Sequence, residues 1–551
     1  MQTPTPRSRG ALAGVLAAMA GLAAAELVSG ALGIPDTPVV AVGATFIDVI
    51  PTPVREFGIE LLGTADKPVL IAGIVAVLAG LAAWAGILAT RSRAKGVALL
   101  GALALLGILA SATRPGFSPA TLIPSVVAGL VAVAVLGWLL KVYARTANRF
   151  APATTAPPPD SAASPPPDST APPTGAPAEG TVTTSASGRT PEYARQARRD
   201  LLRTGGLVVL GSVAATAIGR GVGGVASNRV AAEDARTALP LPKIPPATTP
   251  AGADLRVSGL TPWQTANDTF YRIDTALSVP VIEPANWRLR IHGMVDSPLD
   301  LTFRDLLRRR IVHRYVTLTC VSNEVGGDLA GNAMWTGVPL ADILAEVGVS
   351  PRADAVKSTS EDGWTCGTPL EALTDGRDSL LAFAMNGAAL PFEHGFPVRM
   401  VVPGLYGFVS ATKWVVDIEV TRFDEFRAYW TDRGWSAQAP IKTASRIDVP
   451  RPGATAQAGD VVVAGVAWAQ HRGISKVEVR VDEGRWERAR LAGEPTNDSW
   501  RQWTWTWDAA PGRHRLQVRA TDAAGETQTA QVAPPAPDGA TGWHTVDVDV
   551  S

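Results

Sequence analysis

Long apolar runs dominate the first 220 positions, and short alternating runs dominate the remainder. Five apolar stretches occupy approximately 11–33, 69–89, 96–113, 120–140 and 204–219. A bilayer-spanning helix needs about 20 mostly apolar residues. The second and fourth stretches reach that length without a charge. The first carries one carboxylate, Glu26, and the third is slightly short. The fifth is the shortest and lies between Arg203 and Arg220, whose long side chains can reach back to an interface. The pattern predicts four spanning helices within 1–150 and a fifth within 201–222. Lipid is therefore an expected partner.

Basic residues set the expected orientation. Arg7 and Arg9 precede the first stretch, Arg91, Arg93 and Lys95 separate the second from the third, and Lys141, Arg145 and Arg149 follow the fourth. Arg195, Arg198, Arg199 and Arg203 precede the fifth. Five crossings place all of these on one side, so the N-terminus is expected in the cytoplasm and everything after about residue 222 outside it. Glu26 is the one intramembrane acid, and all histidines lie at 292 or later. No span can therefore supply the His pairs that ligate b-type haem. The membrane part reads as an anchor.

Residues 151–200 form a linker rich in Pro, Ala, Ser and Thr, with runs such as Pro157-Pro158-Pro159 that favour polyproline II. At its end, Arg198-Arg199-Asp200-Leu201-Leu202-Arg203 fits two readings. One is ordinary positive flanking of a helix. The other is an internally placed twin-arginine export signal.

From 240 to 432 strand-like runs such as Trp287–Gly293 and Arg314–Thr319 alternate with short helical segments, Thr302–Arg310 and Pro339–Val347 among them. This predicts an α+β domain. From 440 to 551 the runs Val461–Trp468, Lys476–Val481, Trp500–Trp507, Arg515–Ala520 and Trp543–Val550 alternate with period two. Asp482-Glu483-Gly484 marks a hairpin turn, and Trp503, Trp505 and Trp507 share one strand face. The pattern predicts an immunoglobulin-like β-sandwich without the disulfide. The expected fold class is therefore multi-domain: transmembrane α-helices, an α+β domain and an all-β sandwich.

Composition narrows the chemistry. The 551 residues hold 50 Lys+Arg against 50 Asp+Glu, so no basic excess points to nucleic acid. Two cysteines exclude a disulfide framework and a four-thiolate metal site. No nucleotide fingerprint, HExxH or nucleophile elbow is present. Cys320 ends the run Tyr315–Thr319 and opens the glycine-rich loop Val321–Gly327. A cysteine held at a strand end and facing a loop suits a soft metal ligand or a nucleophile. An inert buried thiol is the other reading.

The segment Tyr315–Leu344, YVTLTCVSNEVGGDLAGNAMWTGVPLADIL, resembles the core of the sulfite oxidase superfamily of molybdopterin enzymes. Asn267-Asp268-Thr269-Phe270-Tyr271-Arg272 resembles the family's early cofactor-binding motif. His394–Arg399, then Val402–Phe408 and Lys413-Trp414, resemble its late one. The resemblance covers roughly 250–430, and the C-terminal module, similar to the superfamily's dimerisation domain, extends it to the end.

The resemblance implies a molybdenum–molybdopterin cofactor, with Cys320 as metal ligand and catalytic residue. It also implies cofactor contacts by position. Arg399 and Lys413 would meet the phosphate. His394 would donate a hydrogen bond to pterin or phosphate, and Asn267 would offer a donor and an acceptor to the pterin edge. Phe270 and Tyr271 would form a packing wall, Ser360 would supply a hydroxyl, and the backbone N–H groups of Ser410 and Ala411 would cradle an anion. Where sulfite oxidases carry an anion-holding arginine, this chain has Asn323, Glu324 and Val325. A carboxylate there repels sulfite, leaving Arg272 as the catalytic anion contact. The expected activity is two-electron oxo transfer on sulfite or on a sulfoxide or N-oxide. Cys366 reads as a structural free thiol. No haem-attachment motif is present, so electrons are expected to pass to or from a separate carrier, a cytochrome or a quinol-linked protein, and a homodimer is expected through the C-terminal domain. The rival reading is a non-catalytic surface scaffold that keeps the fold.

Overall fold

The computed structural model describes residues 7–32, 34, 37–51, 54, 66–114, 117–149, 205–218, 232–242 and 244–551. The expected linker and the Arg198-Arg199 pair lie outside the described residues. The chain divides into two compact units, essentially the residues up to 227 and those from 228 onward.

The first unit is helical: α1 (Arg7–Leu32), α2 (Pro38–Val49), α3 (Asp66–Arg91), α4 (Arg93–Ala112), α5 (Ile123–Arg149) and α6 (Gly205–Ile218). Among the described residues, four helices are long and apolar enough to cross a membrane. They match the first four apolar stretches. α2 is a short apolar helix that a length criterion passes over, and α6 is also short of a span within the described residues.

Glycine sets the approach of α1 to α3. A Cβ on Gly14 would sit 1.9 Å from the Ala82 carbonyl oxygen, and one on Gly86 would sit 2.0 Å from that of Gly10. Small residues four apart let these backbones touch. Gly14→Leu should therefore lower the detergent-solubilised thermal midpoint, by the equivalent of about 1–3 kcal/mol or more of overpacking. An unchanged midpoint would show that the two helices do not meet there.

The second unit holds the α+β segment and the β-rich segment. The former has strands β1 (Arg288–Gly293), β2 (Leu299–Thr302), β3 (Val312–Thr319), β4 (Ala330–Pro339), β5 (Ala355–Ser360), β6 (Thr365–Pro369), β7 (Leu380–Met385), β8 (Ala388–Ala389), β9 (Arg399–Val401) and β10 (Val415–Thr421). One sheet runs β2-β1-β10-β5-β6, with β1 parallel to β10. The other runs β3-β4-β7-β8, with β9 also on β7. β4 and β7 are buried along their whole length, so period-two alternation is lost in them. The helix Leu340–Val347 buries Leu340, Ile343, Leu344 and Val347, one face at helical spacing, and stops at left-handed Gly348.

The β-rich segment contributes β11 (Ala444–Val449), β12 (Thr455–Ala456), β13 (Gly459–Trp468), β14 (Ile474–Val481), β15 (Glu487–Arg488), β16 (Arg490–Leu491), β17 (Arg501–Ala509), β18 (Gly512–Asp522) and β19 (His544–Val550). They form sheets β11-β13-β17-β16 and β12-β19-β18-β14-β15. A shared apolar cluster joins the two, with Val463, Trp503 and Trp507 from one sheet and Val479, Val518 and Val546 from the other. Trp505 packs against that cluster partly buried. The turn after β14 has positive φ at both Asp482 and Glu483, the twist a tight hairpin demands.

The two segments share one core rather than meeting as independent domains. Val466, Trp468 and Trp500 belong to the same cluster as Trp287, Phe383 and Val398. The outer edge of β3, unpaired by any strand, is covered by the β-rich segment. Thr317 N–H donates to the Asp498 carbonyl at 2.9 Å, and Trp500 N–H donates to Thr317 Oγ1 at 2.8 Å. Buried backbone groups need such partners.

Candidate functional site

Cys320 follows the last residue of β3 and is 9% exposed. Its N–H donates to Leu329 O at 2.9 Å, and Asn323 Oδ1 accepts from Leu329 N–H at 2.8 Å, so the loop returns to its own base. Burial pushes the Cys320 thiol up, while the N–H and Oγ–H of Ser322 and the N–H of Val321 pull it down. Burial outweighs them, so the free thiol keeps its proton, and a coordinated metal cation deprotonates such a thiol outright.

Tyr271 links that sulfur to the cationic side of the site. Its phenol lies within electrostatic reach of both Cys320 and Arg399. Burial raises it above the normal range, and the Cys320 charge adds to this. Phe270 stacks on Tyr271 at 5.2 Å and meets Trp335 and His394 edge-on at 5.7 and 5.5 Å. Gly331 makes room for it, since a Cβ there would lie 2.6 Å from the Phe270 ring. Phe270 belongs to a buried apolar cluster, against which Tyr271 packs partly buried.

Arg399 opens β9, is 5% exposed and lies over Trp335 at 4.9 Å. Its hydrogen bonds go to carbonyls alone: Met400 at 3.3 Å, His394 at 3.2 Å and Ala411 at 3.5 Å. Among the described residues no carboxylate pairs with it. Desolvation pulls it down to about 10, so it stays charged at neutral pH. A buried guanidinium without a counter-ion costs several kcal/mol. A phosphate would satisfy it, and this is where the residues present fit a phosphate-bearing pterin.

Lys413 lies alongside. Its Nζ is 2.6 Å from Asp274 Oδ2, donates to Glu393 O at 3.1 Å, and stands 4.7 Å over Trp414. Burial pulls it down to about 8 against the pull of Asp274 in the other direction. Asp274 also holds Arg272 through Nε at 2.9 Å and Nη2 at 3.4 Å. Arg272, expected as a substrate-anion contact, shares the single Asp274 carboxylate with Lys413.

His394 departs from expectation. Its Nε2 is 2.9 Å from the Asn267 carbonyl, which can only accept. The ring proton is therefore on Nε2, and Nδ1 is left as an acceptor. Burial, then Arg399, bring the imidazole down to about 4, so it is neutral near pH 7. It can accept from a pterin N–H but does not donate. Asn267 is itself committed, donating to Met385 O at 3.3 Å and accepting from Asn386 Nδ2 at 2.8 Å.

Two further expectations change and one holds. Ser410 Oγ donates to Tyr406 O at 2.9 Å, and the N–H groups of Ser410 and Ala411 both point to Gly407 O at 3.3 and 2.9 Å. The short turn Gly407–Val409 uses those donors, so neither N–H cradles an anion. The Ser360 hydroxyl is turned to Asp362 and to Trp364 O. Cys366 is fully buried, with its thiol pushed up to about 11 by desolvation, and remains a structural thiol.

Asp274, Trp335 and Asn386 were missed from sequence. Asn386, at φ 53°, bridges Thr265 O and Asn267. The Asn386-Gly387 dipeptide was a readable hairpin signal.

The His394 geometry has a pH consequence. Between about 4 and 6.5 the unfolded chain binds a proton that the folded site refuses, so stability rises with pH there and is lost as pH falls from 6.5. The slope is at most about 1.4 kcal/mol per pH unit for one group. His394→Asn should flatten the urea-derived stability profile in this window, leaving the part due to His544, which is also brought down to about 4 by burial.

A family model, the oxidoreductase molybdopterin binding domain, matches residues 276–430. The sulfite oxidase of Gallus gallus is 29% identical over 322 residues, 49% of this chain and 69% of that protein. The human mitochondrial sulfite oxidase is 30% identical over 307 residues, and the match covers 47% of this chain and only 56% of that protein. An uncharacterized oxidoreductase of Bacillus subtilis (strain 168), YuiH, is 36% identical over 158 residues, 28% of this chain and 76% of that protein. Among solved structures, the sulfane dehydrogenase SoxCD from Paracoccus pantotrophus is 25% identical with a TM-score of 0.47, covering 55% of this chain and 86% of that one. With Cys320 at its strand end and Arg399 buried without a carboxylate, the chain belongs to the sulfite oxidase superfamily of molybdopterin-dependent oxidoreductases, with molybdenum–molybdopterin as its cofactor.

Proposed function

We propose that the chain is a membrane-anchored oxidoreductase performing two-electron oxo transfer on a small substrate, sulfite or a sulfoxide or N-oxide, outside the cytoplasm. The observation that carries this reading is Tyr271, within reach of both a sulfur ligand, Cys320, and an unneutralised cation, Arg399. When bound, the cofactor supplies the oxo-transfer and redox chemistry. The protein's own part is positional. Arg399 and Lys413 hold the anionic tail, His394 Nδ1 meets the pterin edge, Asn267 fixes the His394 ring through its carbonyl, and Phe270 with Trp335 walls the site from water.

Glu324, in the loop that Cys320 opens, favours a substrate other than a dianion. The four long apolar helices and the one-sided basic clusters support a multi-pass anchor with the catalytic unit outside. Electrons pass to or from a separate cytochrome or quinol-linked carrier; with Cys320 as ligand, one cysteine remains, too few for a CxxCH haem attachment within these residues. The C-terminal sheets act as an immunoglobulin-like dimerisation domain.

Purified full chain should hold near-stoichiometric molybdenum and pterin and turn over with an artificial electron carrier on at least one of sulfite, sulfoxides and N-oxides. Folded protein expressed in molybdenum-replete cells and free of metal and pterin would refute the reading. Replacing Arg198 and Arg199 by lysine should retain the catalytic unit inside the cell. Unaltered export would reduce the pair to a topological signal.

A further inference from the structure

A cavity of about 360 Å³ opens beside the Cys320 loop, walled on one side by Asn323, Glu324 and Tyr406 and on the other by Lys442, Glu526 and Asp538. The β-rich segment thus builds half of it. Its cations are neutralised. Lys442 Nζ is 2.8 Å from Asp538 Oδ1 and 2.7 Å from Gly539 O, and Arg472 Nε is 2.8 Å from Asp522 Oδ2. The carboxylates of Glu324 and Glu526 have no ion pair among the described residues. The field in the cavity is therefore negative, and an oxyanion entering it meets like charge.

Two buried polar groups face the same space with bonding capacity left over. Asn323 is 8% exposed and spends its Oδ1 on Leu329 N–H, leaving the Nδ2 amide, a donor only, without a protein partner among the described residues. Tyr406 is 5% exposed, and its oxygen accepts from the Lys442 backbone N–H while keeping its own proton to give. Burial pushes that phenol up to about 12, so the proton is present at any ordinary pH. Two neutral donors can hold an oxide oxygen, and the negative field of Glu324 and Glu526 sets which charge can accompany it.

We propose that this cavity is the substrate chamber for oxo compounds carrying a positive charge, S-oxides or N-oxides with an ammonium group. The oxide oxygen rests on Asn323 and Tyr406, and the cation faces Glu324 and Glu526. This rests on the oxo-transfer reading and narrows its substrate class. Glu324 and Glu526 are then specificity-determining residues, set on two different segments of the fold.

The test is calorimetric titration of the molybdenum-loaded full chain in detergent with unreactive sulfones. 2-(Methylsulfonyl)ethylamine should bind at least about tenfold tighter than dimethyl sulfone, a difference of about 1.4 kcal/mol. Sulfate should displace neither. In Glu324→Gln/Glu526→Gln the advantage of the amine should fall below about threefold, the loss expected when a charge pair is removed. Both side chains are exposed and the changes are isosteric, so folding is preserved. Asn323→Leu should weaken both sulfones together. Equal binding of the two sulfones, displacement by sulfate, or an undiminished preference in the double variant would overturn the assignment. Metal assays on the same samples separate the two ideas. Loaded protein without cation preference sinks the cavity assignment alone. Protein that shows the preference but never acquires molybdenum sinks the oxo-transfer reading and leaves the cavity.

Discussion

Cys320→Ser should lose more than about a hundredfold in turnover, beyond what even an outer-shell partner of a metal ligand costs. The fold should survive. Serine is smaller by little, the residue lies at the end of a strand rather than within one of the large apolar clusters, and the loop is closed by Cys320 N–H to Leu329 O, a backbone bond the substitution keeps. The expected signature is a normal thermal midpoint, molybdenum content that falls on dialysis, and loss of any sulfur-to-metal absorption band. Full turnover in the serine variant would remove the sulfur from the chemistry.

Arg399→Met should act in opposite directions on the two forms of the protein. Without cofactor, the variant should be more stable than the wild type. It removes a buried charge that only carbonyls solvate, and a flexible apolar side chain can pack on Trp335 in its place. With cofactor, it should bind more weakly by about 1.5–3 kcal/mol, the worth of hydrogen bonds to a charged group. Apo-protein melting and pterin retention during gel filtration read the two effects separately. Arg399→Lys should restore part of the retention, since a point charge remains but the planar fork does not. A variant that melts lower as apo-protein and keeps its pterin would make Arg399 a structural ion.

The chain displayed some of this site openly and concealed the rest. Cys320 was legible because a strand-like run stops at it and glycines follow. Arg399 was legible through the ordered motif around it. Asp274 was not, because its meaning depends on Lys413, 139 positions away, and no local pattern reports so distant a neighbour. Ser410 and Ala411 misled for the opposite reason. Their composition suits an anion cradle, but the tight turn at Gly407–Val409 takes their N–H groups first. In the fold, long spans and half-buried strands gave clear periods. β4 and β7, buried on both faces, gave none. The short helix α2 fell below the length at which apolar content alone identifies an element.

The covering of β3 by residues 498–500 sets a timetable during synthesis. Thr317 leaves the ribosome 183 residues ahead of Trp500, its partner. At typical elongation rates of about 5–20 residues per second, that leaves roughly ten to forty seconds in which the edge of the strand leading to the thiol is bare. A nascent polypeptide in that interval offers the same edge to any other extended segment, and a message truncated before this point would offer it permanently. Chaperone capture thus competes with aggregation for one short-lived intermediate.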